Sequence, residues 1–132
     1  MLTEEQRKFL GDHKQCVLAT GRRDGSPQVS TVAYDFDGND IVISAKSYTA
    51  KWLNALRQPH VALVVNDGHK QLVLYGSAET IEEDPLRVEL TRRVFRRLTG
   101  NEPPPEERLL PMLDEQRRTI LRITPDRVFM ND

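Results

Sequence analysis

Three Asp-Gly turns constrain this chain more than any other feature of its sequence. Asp24-Gly25, Asp37-Gly38 and Asn66-Asp67-Gly68 each stand between short runs of apolar and β-branched residues. Glycine takes positive φ without steric cost, and Asp or Asn beside it bonds to the local backbone, so such pairs reverse a strand onto its neighbour. The runs they separate are Gln15–Thr20, Gln28–Phe36, Ile41–Ala45, Val61–Val65 and Gln71–Ile81, all read as strands. A sixth, Arg118–Met130, is predicted with a bend at Pro125-Asp126, where proline cannot donate to a ladder. Strands joined by tight turns pair antiparallel, and rolling six of them into a barrel removes exposed edges. The expected fold is mainly β with peripheral helices, a six-stranded antiparallel barrel in which residues 1–132 form one domain.

The helices announce themselves by their ends. Thr3-Glu4-Glu5-Gln6 has the capping-box pattern and starts a helix of about Glu4–Leu10. Thr49 is placed to cap a helix over Ala50–Arg57, with Trp52, Leu53 and Leu56 as its apolar positions and Pro59 forcing the exit. Asp84-Pro85 opens a third, with Leu86, Leu90, Val94 and Leu98 as a core-facing stripe ending at Gly100. After the proline-rich connector Glu102–Glu107, a short fourth helix is expected over Glu107–Glu115.

Charge and composition narrow the function classes. Nineteen basic residues stand against 20 acidic ones, without the basic excess of a general nucleic-acid binder, so no nucleic-acid partner is expected. The longest apolar stretch, Val61–Val65, falls far short of the ~20 residues of a membrane-spanning helix, so no membrane partner is expected either. The acidic N-terminus lacks the pattern of a signal peptide, and the single cysteine excludes an internal disulfide; a cytoplasmic location follows as the expectation. Cys16, between Gln15 and Val17-Leu18, reads as a small buried hydrophobe. His13, His60 and His69 are isolated from one another and read as loop or strand-end residues rather than as metal ligands.

One segment carries chemistry. Gln28, Ser30 and Val32 alternate onto one face of their strand. Ile41–Ala45, with Ser44 and Ala45 at its end, then passes through Lys46-Ser47-Tyr48 into the helix start at Thr49-Ala50-Lys51. A strand feeding a helix N-terminus with a lysine in its first turn suits an anion: free amides and the helix dipole favour phosphate, and the lysine adds charge. A plain helix cap with a solvated lysine is the other reading of the same residues.

Asp24-Gly25-Ser26-Pro27-Gln28-Val29-Ser30, then Ser44–Lys51, then Asn54–Leu63, then Gly76-Ser77-Ala78 resemble, in order and spacing, the pyridoxamine-phosphate-oxidase-like split-barrel superfamily. The chain is similar to its short branch that uses the deazaflavin coenzyme F420. The resemblance implies an FMN-binding type of split β-barrel, working as a homodimer with cofactor in grooves at the subunit interface. By position Lys51 matches the family's phosphate-binding lysine, and Gln28, Ser30, Val32, Ser44, Ala45, Lys46, Thr49 and Ala50 complete the implied cofactor-binding set. Family members often carry arginine one or two residues before that lysine. Here Ala50 and Thr49 stand there, leaving the Thr49 hydroxyl, the helix amides and Lys46 to substitute.

The implied activity is an oxidoreductase that uses reduced F420 to transfer hydride to an electron-poor small organic substrate. FMN-dependent oxidase or reductase chemistry, and a non-catalytic cofactor carrier, are the alternatives. The arginines of the third helix (Arg87, Arg92, Arg93, Arg96 and Arg97) fit either a solvated face complementing the helix dipole or a contact for the oligoglutamate tail of F420.

Overall fold

A computed structural model describes residues 1–131. Gly25, Gly38 and Gly68 all adopt positive φ, and each of the three turns reverses a strand as expected. Helix α1 (Glu4–Asp12) leads into β1 (Gln15–Gly21), β2 (Pro27–Ala33), β3 (Asp35–Phe36) and β4 (Ile41–Lys46). Helix α2 (Ala50–Arg57), β5 (His60–Asp67), β6 (Lys70–Ile81), α3 (Leu86–Thr99), α4 (Glu106–Gln116) and β7 (Arg118–Asn131) follow. Every strand pairing is antiparallel, in the order β2-β1-β5-β6-β7-β4-β3.

There are seven strands where six were expected, because the run Gln28–Phe36 breaks at Tyr34. Up to Ala33 it pairs with β1; beyond Tyr34 it pairs with β4. The two ends of the sheet are therefore consecutive pieces of chain. The sheet curls onto itself at this corner, and the split in the barrel lies between β2 and the β4–β3 end of the sheet. Tyr34 is fully buried, and its hydroxyl donates to the Leu10 carbonyl at 2.8 Å, tying the corner to α1.

Alternation fills the barrel. Leu18, Ile43, Leu63, Leu74, Leu121 and Ile123 point inward and are essentially inaccessible. Leu2, Phe9 and Leu10 close one mouth, and Trp52 and Ala55 of α2 reach into the same core from the other. Outside the barrel, Leu90 and Val94 of α3 cover Val42, Ile81 and Ile120, while Val88 packs on Leu109 and Leu113 of α4.

Two apolar stripes differ from the expected ones. On α2 the bulkier Trp52 takes the core with Ala55, which rotates Leu53 and Leu56 to the outside at 46% and 53% exposure. On α3 Leu90 and Val94 are buried, whereas Leu98, in the last turn, is 36% exposed. The bend expected at Pro125-Asp126 is a register shift: Tyr75 pairs with Arg127 and Gly76 with Pro125. A Cβ on Gly76 would lie 2.5 Å from the Thr124 carbonyl oxygen, so the shift depends on glycine there.

Candidate functional site

The passage from β4 into α2 is built by local bonds that leave the helix end open. Thr49 occupies the cap position, but its hydroxyl donates to the Lys46 carbonyl at 2.7 Å and makes no capping bond. The first amides of α2 are thus left to another acceptor. Of the three substitutes expected for the family arginine, the Thr49 hydroxyl donates within its own turn, which leaves the helix amides and Lys46.

Cations gather around this open end. Lys46 and Arg118 are directly opposed across the β4–β7 ladder, and the Lys46 ammonium lies 5.9 Å from the Tyr48 ring centre. Arg117 sits over the same ring at 5.3 Å, and its carbonyl accepts from the Ser47 amide at 2.9 Å. Lys51, half-buried rather than exposed, has its pKa lowered below the ordinary lysine value, by burial first and by the charge of Arg118 second. None of Lys46, Lys51, Arg117 and Arg118 has a salt-bridge partner among the described residues. Cations without carboxylate partners among the described residues, next to a helix start without a side-chain cap, make this a candidate seat for a multiply charged anion. Arg117 and Arg118 carried no signal in the sequence, since only the pairing of β4 with β7 brings them here.

The remaining candidates divide between the two faces of the sheet. Gln28 and Ser30 face inward at the mouth under α2, in a hydrogen-bonded chain. Asn54 Nδ2 donates to Thr20 Oγ1 (3.1 Å), Thr20 to Gln28 Oε1 (2.9 Å), and Gln28 Nε2 to Ser30 Oγ (3.4 Å). Val32 and Ala45 belong to the buried core. Ser44 pairs with Ile120, whose side chain lies under α3, and so stands with Lys46 on the outer face. Ala50 borders a cleft of about 740 Å³ between α2 and the β1–β2 turn, with Leu53, Leu56, Arg22 and Arg23 on its walls. The structure thus places Lys46, Thr49, Ala50 and Lys51 along the passage from β4 into α2, with Ser44 next along the outer face, and sets Gln28, Ser30, Val32 and Ala45 on the barrel's inner side.

The arginines of α3 are occupied. Arg87 bonds Asp84 and Asp114, Arg92 and Arg96 pair with Glu102, and Arg93 pairs with Asp35 and Asp37. Arg97 donates to the carbonyls of Leu10, Gly11 and His13 at the end of α1. They serve as bolts between elements, and the solvated face complementing the dipole describes only part of what they do.

The family model for pyridoxamine 5'-phosphate oxidase matches residues 2–132. The chain belongs to that family. Among solved structures it is similar to the conserved hypothetical protein Rv2991 from Mycobacterium tuberculosis, at 28% identity and a TM-score of 0.82, covering 100% of this chain and 86% of that one. An F420 reductase matches at 24% identity and a TM-score of 0.74, over 97% of this chain and 98% of that one. HutZ, the heme storage protein from Vibrio cholerae, matches at 19% identity and a TM-score of 0.75, over 99% and 96%. The split-barrel architecture is shared by all three. No helix among the described residues is long and apolar enough to cross a membrane.

Proposed function

We propose that this member of the pyridoxamine-phosphate-oxidase family is a cytoplasmic oxidoreductase that binds reduced coenzyme F420 and passes hydride to an electron-poor small organic substrate. The observation that carries the reading is the seat: four cations without carboxylate partners among the described residues, around a helix end without a side-chain cap, a donor set suited to a coenzyme phosphate. FMN also carries a phosphate and is the second candidate for the same seat.

The coenzyme, when bound, supplies the hydride chemistry. The protein's part is to hold it. Lys51 and Arg118 supply charge, the amides at the start of α2 supply directed donors, and Tyr48, half-exposed between Lys46 and Arg117, offers a phenolic hydroxyl beside them. Binding an anion there relieves the repulsion between Lys51 and Arg118 and so draws a proton onto Lys51.

We also propose that the working unit is a homodimer. Two cross-strand rows on the outer face, Thr31-Val17-Val64-Val73-Phe129 and Val29-Ala19-Ala62-Tyr75-Arg127, run across five strands, away from the Ile81 and Ile120 positions that α3 covers. Val29, Tyr75 and Phe129 are 61%, 47% and 42% exposed in the single chain. A largely apolar face of this breadth suits a self-complementary two-fold partner.

Parallel fluorescence titrations of the apo protein with F420 and with FMN test the cofactor. Saturable binding of F420, followed by turnover of its reduced form with an electron-poor acceptor, is the expected result. Binding of FMN alone moves the assignment to FMN, and binding of neither removes the cofactor reading. Tight F420 binding without turnover across a broad acceptor panel makes the protein a carrier.

A further inference from the structure

Arg87 is the one lysine or arginine buried among the described residues, its side chain 8% exposed. A buried guanidinium is tolerated when its donors are met. Nε and Nη2 fork onto Asp84 at 3.2 and 2.8 Å, and Asp84 lies in the same helical start. Nη2 also reaches Asp114 at 2.9 Å and Nη1 the Arg118 carbonyl at 3.2 Å, so two further arms cross from α3 to the junction of α4 with β7.

That junction shapes the seat. Arg117 ends α4 with φ 55°, the only non-glycine residue at positive φ among those described. Its amide donates to the Asp114 carbonyl (3.2 Å), and its own carbonyl accepts from Ser47 at the entrance to α2. The turn is thereby gripped from the α3 side by Arg87 and from the α2 side by Ser47. It sends two consecutive arginines into a place that already holds Lys46 and Lys51, against their mutual repulsion.

We propose that Arg87 is a positioning residue of the anion seat: it fixes the left-handed turn at Arg117 so that Arg117 and Arg118 are held against Lys46, Lys51 and the open end of α2. The inference rests on the seat described above, though on no particular coenzyme. A role confined to closing the start of α3 on itself would be met by the Asp84 fork alone.

The test is Arg87→Lys, which keeps the charge and loses the fork, read by two measurements on the full chain. Affinity for inorganic phosphate should fall about tenfold, as for one charge-assisted contact displaced. The titration midpoint of Lys51, followed by NMR of its Cε, should rise as Arg118 swings away; Lys46, Arg117 and Tyr48 are the other groups gathered there. A folded variant with unchanged phosphate affinity and an unchanged Lys51 midpoint overturns the proposal. Should Arg87→Lys fail to fold, Asp114→Ala leaves the Asp84 fork intact and removes one arm to the junction. Loss of a carboxylate alone would lower the Lys51 midpoint, so a rise in that variant supports the positioning role and a fall or no change overturns it. Responses of phosphate and Lys51 in a protein that binds neither F420 nor FMN would sink the cofactor reading and leave this one standing. Cofactor binding with neither response does the reverse.

Discussion

A lysine half-buried beside an arginine releases its proton more readily than a free one, and Lys51 does so for both reasons, burial before charge. The sign follows from linkage. Its native pKa lies below the unfolded value, so between the two the native state holds fewer protons, and stability rises with pH across that window. A bound anion pushes the pKa back up, so affinity is flat below the lowered value and falls as pH climbs above it. Phosphate or FMN titrations at increasing alkaline pH should show that decline. Lys51→Ala should remove the Lys51 contribution to it and weaken binding by about 1–3 kcal/mol. Cys16 behaves in the opposite sense: burial alone pushes its thiol up to about 12. It should react with a disulfide reagent at pH 8 at least about 100-fold more slowly in the native protein than in denaturant, since the thiolate is the reactive form; equal rates would contradict the burial. The place of Lys51 in the first turn of a helix that follows a strand, and the burial of Cys16 among apolar neighbours, were legible in the sequence; the half-burial of Lys51 was not. Arg117 and Arg118 were not, because their place at the seat is set by strand register far along the chain.

Elements were read best where a local signal ends them. The capping box at Thr3 and Gln6 makes both of its reciprocal bonds, and the helix Ala50–Arg57 has the bounds expected of it. Side-chain destination was harder. On α2, adjacent Trp52 and Leu53 offered two stripes, and only the space in the barrel mouth decides between them. The run Gln28–Phe36 looked like one strand because nothing in its composition marks the switch of partner at Tyr34. The inner chain Asn54-Thr20-Gln28-Ser30 shows why alternation placed Gln28, Ser30 and Val32 together correctly but could not say which face looks out. At the β6–β7 pairing, Gly76 is the signature residue whose reason is now visible. Gly76→Ala should cost about 1–3 kcal/mol through overpacking, because the nearest obstacle is a backbone oxygen that cannot rotate away. Thermal or urea denaturation measures this, and a neutral result would mean the bulge relaxes freely.

For the molecule as a whole, the outer rows from Thr31 to Phe129 and from Val29 to Arg127 set the prediction. Paired on that face, two copies should bury more than about 2,000 Å² in total and behave as a permanent dimer. Light scattering behind size exclusion should give twice the chain mass, and Val29→Asp with Tyr75→Asp should shift it toward monomer and weaken the fold. A monomeric wild type at micromolar concentration that still holds cofactor tightly would contradict the arrangement.

The corner at Tyr34 bears on how far such assembly can go. In a flat ribbon of strands the two free edges point in opposite directions, each able to recruit a neighbour, and the product has no natural length. Here both edges leave from one residue, as β2 on one side of it and β3 on the other, and they diverge as the two lips of a single split. If the proposed dimer forms, it lays face against face and is complete at two copies, whereas pairing along the lips of the split would have no such end.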